Sequence, residues 1–433
     1  MRDLVVTAIV VGSLPFCLAS PYIGVVMWTW ISMMNPHKLT WGFAFTMPMA
    51  QIVAVPTLLG LLVTRQRRAI PFNRESVLLA VLWGYYLVTT LFAFNAQDAW
   101  LYFDRVSKIL LMTFVTILVC QDRKKLRTVL LVVALSIGFY GFKGGIGTSL
   151  QGLQYHVLGP EGTSIGDNNG LALGLTMTIP FLFFLARDEP RWWLRLLLRA
   201  TIGLSIISII STYSRAGFLG LVVVLALLLI RTRWKPIIVP GMVLAAVLLS
   251  TYIPDKWFDR IATIAHYEQD GSAMARLVAW GVAWRLALDN PLVGGGFGAF
   301  GPETFKHYLP DYGHWLNAHS IYFHVLGEHG FVGLFLYLAM IVSTMVSLTT
   351  LRRRARRLPA ASWMVGYTDM VRVSLIAFLI IGAFYNLSHF DLFYLLVGIT
   401  IILKRLMGDA MTTIEASVPV PVPVSNPWRK SPT

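Results

Sequence analysis

The sequence contains few charged residues. Asp, Glu, Lys and Arg together make up 13% of the 433 residues, whereas 56% are hydrophobic, and the mean hydropathy is +0.66. Soluble globular chains carry about 25% charged residues, so this composition excludes a soluble enzyme. Apolar runs of about 20 residues, the length that spans a bilayer, instead recur along nearly the whole chain.

Cysteine is also scarce. The two cysteines, Cys17 and Cys120, lie in apolar stretches, so the sequence predicts neither a disulfide framework nor a thiolate metal site. Six of the nine histidines fall between His266 and His329, and the last four recur every five residues. Five residues turn a helix by about 500°, which separates successive side chains by about 140°, whereas paired ligands prefer one helix face. We therefore predict no metal and no cofactor.

The apolar runs predict an all-α polytopic membrane protein with about twelve transmembrane helices. The predicted organisation is nine helices in 1–252, a large periplasmic loop in 253–329 that carries the catalytic residues, three helices in 330–405, and a Pro-rich disordered cytoplasmic tail in 406–433. A loop of that length is usually functional or disordered. Its aromatic and glycine content favours a folded loop, with an amphipathic helix over 273–288 that ends before Pro291.

The first apolar run, residues 4–34, allows two interpretations because Pro15 and Pro21 interrupt it. One broken span gives twelve helices and a cytoplasmic N-terminus, and this is the interpretation we adopt. Two short spans would give thirteen helices and an external N-terminus.

Positive charge is clustered between the apolar runs. The chain carries 36 Lys and Arg against 21 Asp and Glu, a net charge of +15. If the spans alternate, the clusters all fall on one side, which the positive-inside rule assigns to the cytoplasm; they lie at 65–74, 123–127, 187–199, 231–235, 352–372 and 404–405. This arrangement explains the charge without a nucleic-acid partner.

A few basic residues lie instead on the predicted outer side. Such a residue either extends to lipid headgroups or marks a substrate site near the bilayer. Arg215 favours a site, because 211–217 is a very short turn between two apolar spans. External cations suit a lipid phosphate or pyrophosphate, which Arg binds in a bidentate manner; the candidates are Arg105, Lys108, Lys143, Arg215 and Arg276.

Three further candidates are not cations: a histidine, an aspartate and an asparagine. His319 follows Asn317-Ala318 just outside a predicted membrane helix, where a neutral imidazole can take a proton from a hydroxyl. Asp167 and Asn169 stand at the outer start of a span, where they either hydrogen-bond a sugar or phosphate or cap the helix.

Four segments, in this order around the large loop, resemble the O-antigen ligase superfamily (Wzy_C type), which also includes O-antigen polymerases and bacterial protein O-oligosaccharyltransferases. They are Tyr213-Ser-Arg-Ala-Gly217, Arg276 with Trp280, Asn290-Pro-Leu-Val-Gly-Gly-Gly-Phe-Gly298, and Ala318-His-Ser-Ile-Tyr-Phe-His-Val-Leu-Gly-Glu-His-Gly-Phe-Val-Gly333. The opening, from Pro21-Tyr-Ile-Gly through Met34-Asn-Pro-His to Gly42, further resembles the exosortase-associated O-glycosylation ligases.

This resemblance implies a GT-C-like fold and an activity. Such enzymes transfer a glycan from undecaprenyl pyrophosphate to an acceptor, here a lipid A core sugar, at the periplasmic face of the bacterial inner membrane, without a metal and with inversion. It implies that His319, Arg215 and Arg276 are catalytic, and that Ser214, Trp280 and Tyr322 join the other candidates as substrate contacts. Many relatives have Asn where this chain has Ser320, which keeps a polar partner beside the histidine.

Three other functions remain open at the level of sequence. An O-antigen polymerase or a protein O-oligosaccharyltransferase would use the same donor, arginines and histidine, and would differ in the acceptor. A lipid-glycan transporter would place its ionisable residues near the bilayer midplane and often show inverted repeats. The charges lie at the borders instead, which favours chemistry at the membrane surface.

Overall fold

A computed structural model describes residues 1–64, 69–152, 155–230 and 271–417. Three predicted parts lie outside these ranges: the last of the nine helices predicted in 1–252 (residues 236–252), residues 253–270 of the predicted loop, and the tail beyond Ser417. Within them the chain is helical and contains no strand. The α-helices are α1 (Arg2–Ala19), α2 (Pro21–Met34), α3 (Met49–Val63), α4 (Arg74–Leu91), α5 (Ala96–Val119), α6 (Arg123–Leu150), α7 (Asn168–Arg187), α8 (Trp192–Ile210), α9 (Arg215–Leu229), α10 (Gly271–Asp289), α11 (Pro302–Tyr308), α12 (Ile321–Arg357), α13 (Met364–Gly382) and α14 (Asp391–Ser417).

Six of the described helices are long and apolar enough to cross a membrane: α1, α6, α7, α8, α12 and α13. Helices α3 and α9 are apolar but shorter. The protein is therefore a multi-pass membrane protein of helical class, as the sequence predicts. The helix predicted over 273–288 is present as α10.

The first apolar run, which we predicted as one span broken by proline, forms two separate helices. Ser20 adopts an extended conformation (φ −140°, ψ 101°) and separates α1 from α2, because the residue before a proline is driven out of the helical region. The two helices lie side by side in opposite directions: Asp3 Oδ1, at the start of α1, accepts hydrogen bonds from Gly42 N (3.0 Å) and Ala44 N (3.1 Å), just beyond the end of α2. The number of membrane crossings, twelve or thirteen, stays a prediction, because six of the described helices have the length and composition of a span and α2 is not among them.

The connection between α1 and α2 lies at the basic end of the bundle. Tyr22 donates a hydrogen bond to Lys125 O at the start of α6 (3.2 Å). Nearby, Glu189 accepts from Arg191 Nε (2.8 Å) and also pairs with Arg127. The N-terminus, at the other end of α1, is therefore at the end opposite to these basic residues.

Helix α7 forms the centre of the bundle. Its side chains are buried along nearly the whole length, and it packs against α6, α8, α9 and α13. It ends among the basic residues at Arg187, so its start, at Asp167, lies at the opposite end of the molecule. The residues that begin α7, α9 and α12 meet there.

Helix α12 is broken at Gly330, whose backbone (φ 65°, ψ −169°) lies in a region that essentially only glycine adopts. A Cβ there would lie 2.6 Å from Pro291 O and 2.8 Å from Leu292 O. At the break, Phe331 N donates to Pro291 O (2.9 Å) instead of continuing the helical pattern. The first turns of α12, 321–329, are thus separate from the long membrane segment that follows.

The glycine-rich segment 290–298 is docked onto this break. Gly295 N donates to Gly327 O (2.9 Å), and Gly296 N donates to Glu328 O (2.8 Å). Gly298 N donates to the side chain of Glu328, at Oε1 (2.8 Å). The segment therefore holds the first turns of α12 against the rest of the outer region.

The last helix extends beyond its predicted end. Helix α14 continues to Ser417, whereas the sequence analysis assigned everything after residue 405 to a disordered tail. Residues 406–417 contain no proline, and Leu406 and Met407 are buried. Packing of these two side chains and the late position of the first proline, Pro419, account for the extension.

Candidate functional site

The starts of α7 and α9 lie side by side and are joined by a hydrogen bond. Asp167 caps α7 by accepting from Gly170 N (2.7 Å), and Ser214 caps α9 by accepting from Gly217 N (3.1 Å). Ser214 Oγ also donates to Asn169 Oδ1 (2.7 Å). The start of each helix carries a partial positive charge, an arrangement that suits an anion.

Arg215 is the first residue of α9 and is half-buried. Tyr213, two positions earlier, has a left-handed backbone (φ 55°), which bends the chain sharply between α8 and α9. This bend brings Arg215 into the turn that contacts the start of α7. A guanidinium at this position adds full positive charge to the two helix ends.

His319 is half-buried and has a strained backbone, with φ of 45° in the left-handed region. The chain before it is fixed by Trp280 of α10, whose Nε1 donates to Ala318 O (2.7 Å). Trp280 also stacks on Phe323, with ring centroids 4.8 Å apart. Strain of this kind persists only where the surroundings determine it, and it often occurs at functional sites.

Two oppositely charged residues act on the His319 imidazole. Burial lowers the pKa of His319, the positive charge of Arg276 lowers it further, and the negative charge of Asp167 opposes them. Since the ordinary value is near 6.5, the imidazole is neutral at pH 7. The charges of Arg276 and Asp167 therefore both reach His319, although the three residues are far apart in the sequence.

Asp167 also accepts a hydrogen bond from a third part of the chain. Tyr385, in the segment between α13 and α14, donates a hydrogen bond to Asp167 Oδ2 (2.6 Å). Burial, and then the negative charge of Asp167, raise the pKa of Tyr385, which remains protonated. Asp167 therefore caps α7 with one carboxylate oxygen and accepts from Tyr385 with the other. Its contact with a sugar or phosphate stays a prediction.

A cavity of 1240 Å³ adjoins this group of residues. Tyr385 and Asn317 line it, and these lie next to Asp167 and His319. Aromatic rings and carboxylates also line the cavity, a mixture suited to the faces and hydroxyls of sugars; they include Phe94, Asp98, Tyr102, Asp289, Phe300, Glu303, Tyr308 and Trp315.

The remaining predicted substrate contacts lie in three different places. Arg105 lines the 1240 Å³ cavity and, with Lys108, a neighbouring cavity of 510 Å³. Lys108 forms an ion pair with Asp104. Lys143 is exposed and lines a separate groove of 560 Å³. Tyr322 donates to Leu379 O (3.1 Å), which fastens α12 to α13.

Sequence analysis missed the contribution of the segment between α13 and α14. Tyr385 and His389 both come from it and both line the large cavity. A run of polar residues between two apolar spans on the predicted outer side was the available signal. Sequence analysis also assigned no role to Glu328, which is buried against the same segment.

One known family matches the part of the chain that contains Arg215, Arg276 and His319. Residues 200–338 match the O-antigen ligase family model (Wzy_C). This region of the chain, residues 200–338, belongs to the O-antigen ligase superfamily. The match spans Arg215, Arg276 and His319, so the predicted catalytic residues all lie within the O-antigen ligase region. Residues 1–189 match a family of unknown function (DUF5935), and no curated protein matches the chain.

The match to the O-antigen ligase family model confirms the resemblance at the level of the superfamily. It indicates a ligase- or polymerase-type glycosyltransferase that acts on lipid-linked glycans in a membrane. The closer likeness to the exosortase-associated subgroup stays a prediction. The family match ends at residue 338, so it includes the glycine-rich segment 290–298 and the break at Gly330.

Proposed function

We propose that the protein is an O-antigen ligase. It transfers a polysaccharide from undecaprenyl pyrophosphate to a hydroxyl of an acceptor, a lipid A core sugar, at the periplasmic face of the bacterial inner membrane. The single observation that carries this proposal is the junction of the starts of α7 and α9, where Ser214 bonds Asn169 and Asp167 caps α7. The charges of Asp167 and Arg276 both act on His319 there. The arrangement offers a neutral base and an anion-binding surface in one place.

In the proposed reaction, the acceptor hydroxyl attacks the anomeric carbon of the donor sugar from the face opposite the pyrophosphate. The new C–O bond forms as the bond between the anomeric carbon and the pyrophosphate oxygen breaks, and its electron pair leaves with the lipid pyrophosphate. The hydroxyl proton passes to a nitrogen of His319. Attack from the opposite face inverts the anomeric configuration.

His319 suits the role of general base because it is neutral at pH 7. A base must be unprotonated at the operating pH and still basic enough to accept a proton. Burial and Arg276 keep the imidazole neutral before the reaction, while Asp167 stabilises the imidazolium that forms when the proton arrives. With His319 taking the proton and Asp167 stabilising the imidazolium, the attack requires no metal at the reacting carbon.

Arg215 and Arg276 suit the stabilisation of the leaving group. Charge develops on the pyrophosphate oxygens as the bond breaks, and fixed positive groups in a partly dry site stabilise it more strongly than water does. The helix N-termini at Asp167 and Ser214 add N–H donors from the same side. Arg105 and Lys108 are candidates for the more distant parts of the donor or acceptor glycan, since they line the neighbouring cavity of 510 Å³.

The test is a reaction between the purified protein, a glycan on undecaprenyl pyrophosphate, and each acceptor class in turn, followed by mass spectrometry of the product. We expect the mass of the glycan to be added to lipid A core and His319→Ala to abolish the addition while donor binding persists. Extension of the glycan itself would show a polymerase, and addition to a pilin-like protein would show a protein transferase. Normal turnover by His319→Ala would remove the base assignment.

A further inference from the structure

Three side chains with metal-binding atoms meet outside the proposed catalytic group. His324 and Glu328 lie one turn apart on the first turns of α12, so both point to one side of the helix. His389 approaches them from the segment between α13 and α14. One imidazole nitrogen from each histidine and a carboxylate oxygen of Glu328 all lie within 4.8 Å of one another. Among the described residues, this is the one group of three or more such side chains with that property.

The spacing of the atoms matches that of ligands around a transition metal. His324 Nε2 lies 3.3 Å from Glu328 Oε1, and His389 Nε2 lies 3.4 Å from Glu328 Oε2. Ligands bound at about 2.0–2.2 Å in tetrahedral geometry are separated by about 3.4 Å. Each imidazole therefore lies at about this separation from one oxygen of the Glu328 carboxylate.

Outer hydrogen bonds orient the two imidazoles. His324 Nδ1 is 2.8 Å from Ser388 Oγ, and His389 Nδ1 is 3.2 Å from the Tyr394 hydroxyl. These contacts engage Nδ1 on both rings and leave Nε2 directed towards Glu328. Metal-binding histidines usually have their second nitrogen held in this way.

The cluster is enclosed but accessible from one side. The side chains of His324, Glu328 and His389 are 13%, 3% and 14% exposed. All three line the 1240 Å³ cavity, which provides an entry path and room for water at the remaining coordination positions. Two histidines and one carboxylate with open positions is a donor set that binds Zn²⁺ or Fe²⁺.

We propose that His324, Glu328 and His389 bind one divalent transition-metal ion of the Zn²⁺ class. The ion links the first turns of α12 to the segment between α13 and α14. His319 lies just before those turns, and Tyr385, which holds Asp167, lies in that segment, so the ion fixes the distance between the two halves of the proposed catalytic group. Its role is to position these residues, and the metal site itself does not depend on the proposed function.

The test uses the full-length protein, purified in detergent with an affinity tag that contains no histidine, stripped with a chelator and dialysed against Zn²⁺. Elemental mass spectrometry is expected to give roughly one Zn²⁺ per chain. Glu328→Gln and His389→Ala are expected to lose it. His307→Ala is the matched control, because His307 lines the same cavity outside the cluster, and it is expected to keep the ion. A stripped wild type that takes up no Zn²⁺, or variants that all retain it equally, would overturn the proposal.

A second measurement needs no substitution and so does not depend on the folding of the variants. Co²⁺ replaces Zn²⁺ in such sites, and X-ray absorption of the loaded wild type is expected to show two imidazole ligands. A spectrum with oxygen ligands alone would overturn the proposal. Loss of metal with unchanged glycan transfer would leave the proposed function intact and exclude the positioning role, so the two proposals fail separately.

Discussion

At the scale of single residues, the proposed site depends on groups whose charge is set by their neighbours. His319 and Arg276 belong to motifs that the sequence displays, and their recognition required no structure. Tyr385 was not predictable, because its relation to Asp167 comes from the packing of α13 against α7 and not from any local pattern. The left-handed backbone of His319 was equally hidden, since it is imposed by the contacts of Ala318 and the start of α12.

Substitution of the two arginines by lysine tests whether their shape matters. A lysine keeps the charge but lacks the planar fork that binds two oxygens of a phosphate at once. We expect Arg215→Lys and Arg276→Lys each to lower kcat/KM for the lipid-linked donor by roughly 10²-fold or more, in the range found when one stabilising donor is removed. The assay is steady-state transfer at saturating acceptor. Full activity in both lysine variants would indicate simple attraction of the anion.

The pH dependence of transfer tests the charge balance around His319. Asp167 favours the protonated imidazole, so Asp167→Asn removes a stabilising charge and lowers the pKa of His319 further. The base then stays unprotonated to lower pH, and the acidic limb of the kcat/KM profile is expected to move to lower pH. Asparagine can still cap α7, which separates the charge effect from loss of the helix start.

The control for this profile is Asp311→Asn, in which an exposed carboxylate in the outer region is neutralised. It is expected to leave the acidic limb in place. A limb that moves to higher pH in Asp167→Asn, or that moves equally in both variants, would contradict the assignment of His319 as the titrating base.

At the scale of elements, hydropathy predicted the existence of the helices better than their ends. The first of the three helices predicted in 330–405 is the membrane part of α12. The structure adds a short helical part before it, because the chain is also helical from Ile321 to the break at Gly330. The sequence contains this glycine, but its break depends on the docking of residues 290–298, which no periodicity reveals. Conversely, the first helix ended just before Pro21, as expected from the sequence.

Replacement of Gly330 by alanine tests whether this break supports the site. The new Cβ would collide with Pro291 O and Leu292 O, and the backbone itself is unfavourable for alanine by about 1–3 kcal/mol. We expect a lower unfolding temperature in detergent and a loss of transfer, since 321–329 carries Glu328 and follows His319. The measurement is thermal unfolding by intrinsic fluorescence together with the transfer assay.

Gly281→Ala provides the matched control for Gly330→Ala. Gly281 lies in the middle of α10 with no atom within 4 Å of a new Cβ, and alanine is favoured over glycine in helices by about 0.5–1 kcal/mol. This variant is expected to keep its activity and to unfold at the same or a higher temperature. Equal destabilisation by both substitutions would show that the break has no special importance.

At the scale of the whole molecule, the antiparallel arrangement of α1 and α2 fixes the N-terminus at the same end as His319. The contact between Asp3 and the segment after α2, and the contact between Tyr22 and Lys125, define the two ends. The prolines alone could not distinguish a kinked span from a hairpin, because both break the helix at one point. The distinction came from the side-chain and backbone partners of residues on either side of the break.

Cysteine labelling in cells tests this arrangement together with the proposed orientation. Both natural cysteines are buried, and the background is removed by their replacement with alanine. Single cysteines are then placed at three exposed positions, Arg2, Asp311 and Arg353. With a membrane-impermeant maleimide added to cells with a permeabilised outer membrane, Arg2→Cys and Asp311→Cys are expected to react.

Arg353→Cys, at the basic end, is expected to react only after the inner membrane is opened. The positive-inside rule then accounts for the orientation of the protein. The hairpin of α1 and α2 accounts for the reaction of Arg2→Cys from the periplasmic side. A single broken span would instead make Arg2→Cys behave like Arg353→Cys. Reaction of Arg353→Cys in intact inner membranes, with protection of Asp311→Cys, would invert the whole protein and move His319 to the cytoplasm, where the proposed periplasmic transfer is impossible.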